Sequence, residues 1–140
     1  MPANDSDRSH LDVRQIGRAA GAETPTRIVP VFTGLGVIEV KGRYLYRPHR
    51  HEEYEVILVD RGRYRCRVND VPLDLGRDDI LLVNVGDLHE DVCEPPLRYF
   101  GLRFHFDPRW YGSNPPELLA PAATAAQQWV HADRKVFWPL

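Results

Sequence analysis

Between Gly36 and Phe106, turn-forming residues cut the chain into short runs rich in Val, Ile, Leu, Tyr and Phe. The runs are Gly36–Val40, Arg43–Tyr46, Tyr54–Asp60, Tyr64–Val68, Val71–Leu75, Ile80–Val83 and Leu97–Phe106, with Gly42, Gly62, Asn69-Asp70, Gly76, Gly86-Asp87 and Pro95-Pro96 between them. Most are too short for helices, and strands at this spacing build an all-β sandwich or barrel. The hairpin around Asn69-Asp70 supports that reading in detail. With those two residues as the turn, Val68 faces Val71, Cys66 faces Leu73 and Tyr64 faces Leu75, all apolar and on one face. On the other face Arg65 opposes Asp74, and Pro72 opposes Arg67 in a non-hydrogen-bonded pair, where the missing N–H costs nothing. In the run ending at Phe106, Phe100, Leu102, Phe104 and Phe106 project one way, while Tyr99, Arg103 and His105 project the other.

The rest of the chain limits what this β-domain can be. Its 140 residues suit one domain, and its 43% hydrophobic content leaves enough apolar side chain for a core without disulfides. No apolar run approaches the ~18 residues of a membrane span. The N-terminal MPANDSDRSH lacks a signal-peptide pattern, so a cytoplasmic location is expected and no membrane partner. A net charge of −2 argues against a chain built as a whole to hold nucleic acid. Cys66 and Cys93 have no zinc-site spacing, and Cys93, beside Glu94-Pro95-Pro96, reads as a loop thiol. Arg61, Arg63, Arg65 and Arg67 share parity and read as a solvated sheet face partly neutralised by Asp60 and Asp74.

Three segments are expected. Residues 1–27 read as a loose arm with a helical stretch from Leu11 to Ala20, and residues 28–110 as the barrel. Residues 111–140 form an extension in which a helix starts at Pro116 and runs through the Ala-rich stretch to Val130. The apolar run Val136–Leu140 has nothing after it to cover it, which suggests a fragment of a longer protein.

The chemistry is concentrated between Arg47 and Glu90. His49, His51 and Glu55 have the same parity, and two imidazoles with a carboxylate suit a divalent ion such as Zn, Ni, Fe or Mn. In a straight strand His51 and Glu55 would lie ~13 Å apart at their Cα atoms, too far for one ion. A bend is therefore expected at His51-Glu52-Glu53. A second segment, Asp78 to His89, reads as a buried strand, a Gly86 turn and a histidine just beyond. If that strand pairs beside the first, His89 completes a three-histidine, one-glutamate set. No phosphate loop or nucleophile elbow is present, so no catalytic residue is assigned.

These two segments resemble the paired motifs of the cupin superfamily, small β-barrels of jelly-roll type that hold a metal or ligand inside. The first motif matches at His49, His51, Glu55 and Gly62, and the second at Gly86 and His89. Asp78 stands where the family usually has Gly, and Val85 where it usually has Pro. The stretch from Arg47 to Glu90, followed by Leu97–Pro108, further resembles the N-terminal sensor domain of AraC-type transcription regulators. The resemblance implies a small-molecule effector bound in the barrel, with Tyr99, Arg103 and His105 as candidate ligand contacts. It also implies a homodimer, a divalent transition metal at His49, His51, Glu55 and His89, and DNA contact only through a helix-turn-helix domain absent from this chain. The alternative is a small metal-dependent cupin enzyme of dioxygenase or isomerase type, with Glu53, Tyr99 or His105 as its candidate acid or base.

Overall fold

The computed structural model describes residues 29–112, 116–119 and 123–132. The strands are β1 (Pro30–Val40), β2 (Tyr44–His49), β3 (Tyr54–Gly62), β4 (Tyr64–Val68), β5 (Val71–Leu75), β6 (Asp79–Val83), β7 (His89–Cys93), β8 (Leu97–Phe106) and β9 (Trp129–His131). One sheet has the order β1-β8-β3-β6-β9 and the other β2-β7-β4-β5. The first eight strands thus follow the jelly-roll order, in which successive strands alternate between facing sheets except at the β4–β5 hairpin, and few edges stay open.

The main core lies between the sheets, where Ile57 and Val59 of β3 and Leu81 and Val83 of β6 meet Tyr64 and Val68 of β4. Each is at most 1% exposed, and their alternation with more exposed neighbours is the period-2 pattern of strands with one buried face. The Asn69-Asp70 hairpin has the expected register throughout, from Val68↔Val71 to Tyr64↔Leu75. Both turn residues have positive φ, 47° and 67°, as the right-handed twist of a two-residue hairpin demands.

A second cluster lies on the outer face of the first sheet. Phe104 stacks on Tyr54 with ring centroids 5.4 Å apart, and Phe106 meets Tyr111 edge-on at 5.7 Å. Tyr111 belongs to α1 (Pro108–Tyr111), whose first turn is capped by the Asp107 carboxylate accepting from the Arg109 amide at 2.9 Å. Thus the aromatic side of β8 faces away from the barrel interior, and the side bearing Tyr99, Arg103 and His105 faces into it.

Four expectations need correction. The helix from Pro116 to Val130 is absent among the described residues; only a 3-10 turn (Ala125–Gln127) forms, and Trp129–His131 becomes β9 on the open edge of β6. Ladder hydrogen bonds to β6 override the helix propensity of the alanines. Cys93 lies in β7, fully buried, rather than in a loop. Arg61 belongs to the first sheet and pairs with Glu39 at 2.7 Å, so it leaves the face shared by Arg65 and Arg67. Asp60 pairs with Arg98 at 3.4 Å, and Asp74 alone serves Arg63 and Arg65. The Leu11–Ala20 stretch and the Val136–Leu140 run lie outside the described residues.

Candidate metal centre

The expected bend is the crossing from one sheet to the other: β2 ends at His49, residues 50–53 form the link, and β3 resumes at Tyr54. This places His49 in the second sheet, Glu55 in the first and His51 between them. His89, the first residue of β7, pairs directly with His49. The β6 strand lies beside β3 in the register Glu55↔Val83, as the second motif requires. Asp78, where a Gly is usual, has φ 68°, a left-handed conformation that Asp tolerates better than most residues. Gly86 has φ 78° in the turn closed by the Asp87 amide donating to the Asn84 carbonyl at 3.2 Å.

The three imidazoles form one cluster. Ring centroids are 4.0 Å apart for His49–His89, 5.0 Å for His51–His89 and 5.9 Å for His49–His51. One nitrogen from each ring lies within 4.8 Å of the others, and the set could hold a metal ion. Glu55 is beside them, its Oε2 at 3.2 Å from His51 Nε2 and 3.3 Å from His89 Nε2. The three histidines therefore converge, and Glu55 lies against two of them, His51 and His89.

Hydrogen bonding fits this donor set to a cation. His49 Nδ1–H donates to the Arg47 carbonyl at 2.9 Å, and His51 Nδ1–H to the Glu53 carbonyl at 2.7 Å. A carbonyl only accepts, so each bond fixes a proton on Nδ1 and leaves Nε2 as the free donor atom, the usual outer support of a ligating histidine. An Nε2 lone pair facing a carboxylate oxygen at 3.2 Å is repulsive until a proton or a cation lies between them. His89 is 3% exposed and its Nδ1 has no hydrogen-bond partner.

The electrostatics favour an anionic Glu55. Burial opposes its charge, but contacts with His89, Arg103 and His51 outweigh burial and hold the carboxyl at about 2. Arg103 Nε lies 3.4 Å from Glu55 Oε1, and its side chain stays 46% exposed, so one guanidinium touches both the cluster and solvent. Tyr99 is buried behind the site, its ring 4.9 Å from that of Tyr64. His105 lies two residues beyond Arg103, near Asp107, and has no described contact with the cluster. Of the three candidate ligand contacts, then, only Arg103 touches the cluster.

Sequence reading missed Asp91, which follows His89 along the inward face of β7. It is 8% exposed and accepts a 2.6 Å hydrogen bond from the Tyr64 hydroxyl. Burial pushes its carboxyl up, against the Tyr64 bond and the nearby histidines. The alternation His89, Asp91, Cys93 was the available signal, but its inward residues are not the aliphatic ones that usually mark a buried face.

A family model for the AraC-like ligand binding domain matches residues 37–134. Comparison with curated protein sequences finds no match. Among solved structures, oxalate decarboxylase of Bacillus subtilis, in a study of its Mn(II) centres, is similar at 19% identity and a TM-score of 0.43, over 48% of this chain and 19% of that one. Salicylate 1,2-dioxygenase of Pseudoaminobacter salicylatoxidans is similar at 18% identity and a TM-score of 0.46, over 59% and 28%. The cupin domain of Schizosaccharomyces pombe Cnp3 is similar at 13% identity and 0.47, over 57% and 64%. The chain thus spans about a fifth of the oxalate decarboxylase it matches. Among the described residues no helix is long and apolar enough to cross a membrane. The family match takes in both histidine-bearing segments and eight of the strands from β2 onward, and with its jelly-roll order the chain is a cupin that belongs to the AraC-like ligand binding domain family.

Proposed function

We propose that this domain binds a small-molecule effector on behalf of an AraC-type transcription regulator, with a divalent transition metal held by His49, His51, His89 and Glu55. The observation that carries the metal is the convergence of one nitrogen from each of the three imidazoles within 4.8 Å, with the Nε2 atoms of His51 and His89 at 3.2 and 3.3 Å from the partly buried Glu55 carboxylate. When bound, the ion supplies a positive anchor that polarises an oxygen of the effector. Arg103 adds a second cationic group at the mouth, so the favoured effector carries a carboxylate or another anionic oxygen. The domain acts by population shift: the effector favours one arrangement of the arm (residues 1–27) or of a homodimer over another. DNA contact falls to a helix-turn-helix module outside these residues, in the cytoplasm.

The test is elemental analysis with calorimetric titration of Zn, Ni, Mn and Fe(II), on the parent and on a His49→Ala/His51→Ala variant. The expected result is near-stoichiometric metal in the parent and none in the variant. Absence of metal from both, with the β-sheet circular dichroism of the parent intact, overturns the metal reading.

A further inference from the structure

The turn that presents His89 is held by the C-terminal segment. Asp87 Oδ2 accepts from the Nε2 of Gln128, 41 residues away, and from the Asn84 amide at 3.1 Å. The same Gln128 nitrogen donates to the Leu82 carbonyl at 3.3 Å, and the Gln128 carbonyl accepts from the Leu82 amide at 2.8 Å. Gln128 is a polar residue only 4% exposed, and it directly precedes β9. Three ladder positions attach β9 to β6, with an Ala132 amide to Asp78 carbonyl bond of 2.6 Å and a His131–Asp79 pair at 2.8 Å. So short a strand opens easily unless its anchors hold.

We propose that Gln128 is a positioning residue for His89, and that through Asp87 it couples occupancy of the histidine cluster to docking of β9. The inference rests on the metal-binding reading. Only one residue separates Asp87 from His89, so a shift of the imidazole onto an ion moves the carboxylate that Gln128 holds. The amide cannot follow freely, because its nitrogen also serves the Leu82 carbonyl and a buried donor left unpaired is costly. Linkage makes the effect reciprocal: what stabilises the docked strand raises affinity at the cluster, and an ion in the cluster stabilises the docked strand. This gives the domain a route from its site to the C-terminal side of the chain that does not pass through the N-terminal arm.

The test uses the full chain and the variant Gln128→Met, which keeps side-chain length and removes the donor. In the metal-free state the variant is expected to exchange its Asn84 and Leu88 amide hydrogens at least tenfold faster than the parent. With Zn²⁺ alone as the probe, its affinity is expected to fall about tenfold, the lower end of what loss of an outer support does to a metal site. Saturating Zn²⁺ should slow exchange at Leu82 and Ala132 in the parent and not in Gln128→Met. His131→Ala, which removes a different side-chain anchor of β9, the pair with Asp79, without touching the turn, should leave Zn²⁺ affinity at the parent value. Unchanged exchange at Asn84 and Leu88 in Gln128→Met overturns the positioning role, whether or not the metal binds. Equal loss of affinity in His131→Ala overturns it too, by showing general loosening of β9. A parent that takes up no Zn²⁺ overturns the metal reading and the coupling to occupancy with it.

Discussion

His89 Nε2 and Glu55 Oε2 are 3.3 Å apart although their strands lie in opposite sheets, so the contact ties the two layers together at the site. In metal-free protein it has a cost and a benefit that depend on pH. The carboxyl, ordinarily at 4.5, is held at about 2, with burial opposing and His89, Arg103 and His51 prevailing. A carboxyl lowered by folding contributes stability that is present above its unfolded pKa and lost as pH falls through the folded value. The window is therefore pH 4.5 down to 2, and the amount is on the order of 3 kcal/mol. Urea unfolding of the metal-free parent should weaken across that window, and Glu55→Gln should flatten the profile. An identical profile in the two proteins would remove Glu55 from the linkage.

Gly62 and Gly86 both have positive φ, 86° and 78°, but their surroundings differ. A Cβ on Gly62 would lie 1.8 Å from the Pro96 carbonyl oxygen, whereas one on Gly86 meets nothing within 4 Å. Gly86→Ala should then carry only the left-handed backbone strain, ~1–2 kcal/mol. Gly62→Ala must also displace the β7–β8 connection and should cost at least ~3 kcal/mol or prevent folding. Denaturant midpoints of the two variants check the contrast, and similar losses would contradict it.

The two residues of the β4–β5 turn are likewise not equivalent. Asp70 needs only its positive φ, which glycine adopts without strain, so Asp70→Gly should stabilise by up to ~1 kcal/mol. Asn69 also holds the turn before His89: its Nδ2 donates to Asp87 at 2.7 Å and its Oδ1 accepts from the Leu88 amide at 3.0 Å. Asn69→Gly should lose both bonds and cost ~1–3 kcal/mol despite easier backbone geometry. Thermal unfolding of the pair gives opposite signs if this is correct.

The hairpin was legible because four of its five pairs were matched by type and the fifth placed Pro72 where no N–H is needed, and the histidine cluster because the spacing of His49, His51 and His89 had few other uses. Strand β7 was not legible. Its inward residues are His89, Asp91 and Cys93, so the usual alternation of apolar and polar residues carries no signal, although the burial alternates perfectly. For β9 the local signal pointed the wrong way: alanines and Gln127 favour helix, and only the open edge of β6, some 50 residues distant in chain, makes strand the better state. The clamp between Gln128 and Asp87 leaves no periodic trace at all, since one amide and one carboxylate so far apart in sequence pair only once the fold exists.

Both thiols lie in the interior, and burial pushes each of them up, Cys93 to about 11. The thiolate is the reactive form, so at pH 8 neither should react with a disulfide reagent faster than the protein opens. Slow labelling that accelerates with denaturant is expected. Rapid reaction of one thiol in the folded protein would contradict the burial of β7 or of β4.

The outer aromatic cluster carries the remaining expectation. A two-layer sandwich alternates inward apolar and outward polar residues, yet Tyr54, Phe104 and Phe106 are each no more than 8% exposed on the outer side of the first sheet. They are covered by Tyr111 and Leu118, so the segment after β8 acts as a third layer over part of that sheet. Phe104→Ala should therefore cost ~3–5 kcal/mol, as much as a truncation between the sheets. Leu35 lies on the same face two strands from Tyr54 but is 78% exposed, and Leu35→Ala should change stability by no more than ~0.5 kcal/mol. A Phe104→Ala loss as small as that of Leu35→Ala, measured by urea unfolding, would mean that Tyr111 and Leu118 do not hold the cover in place.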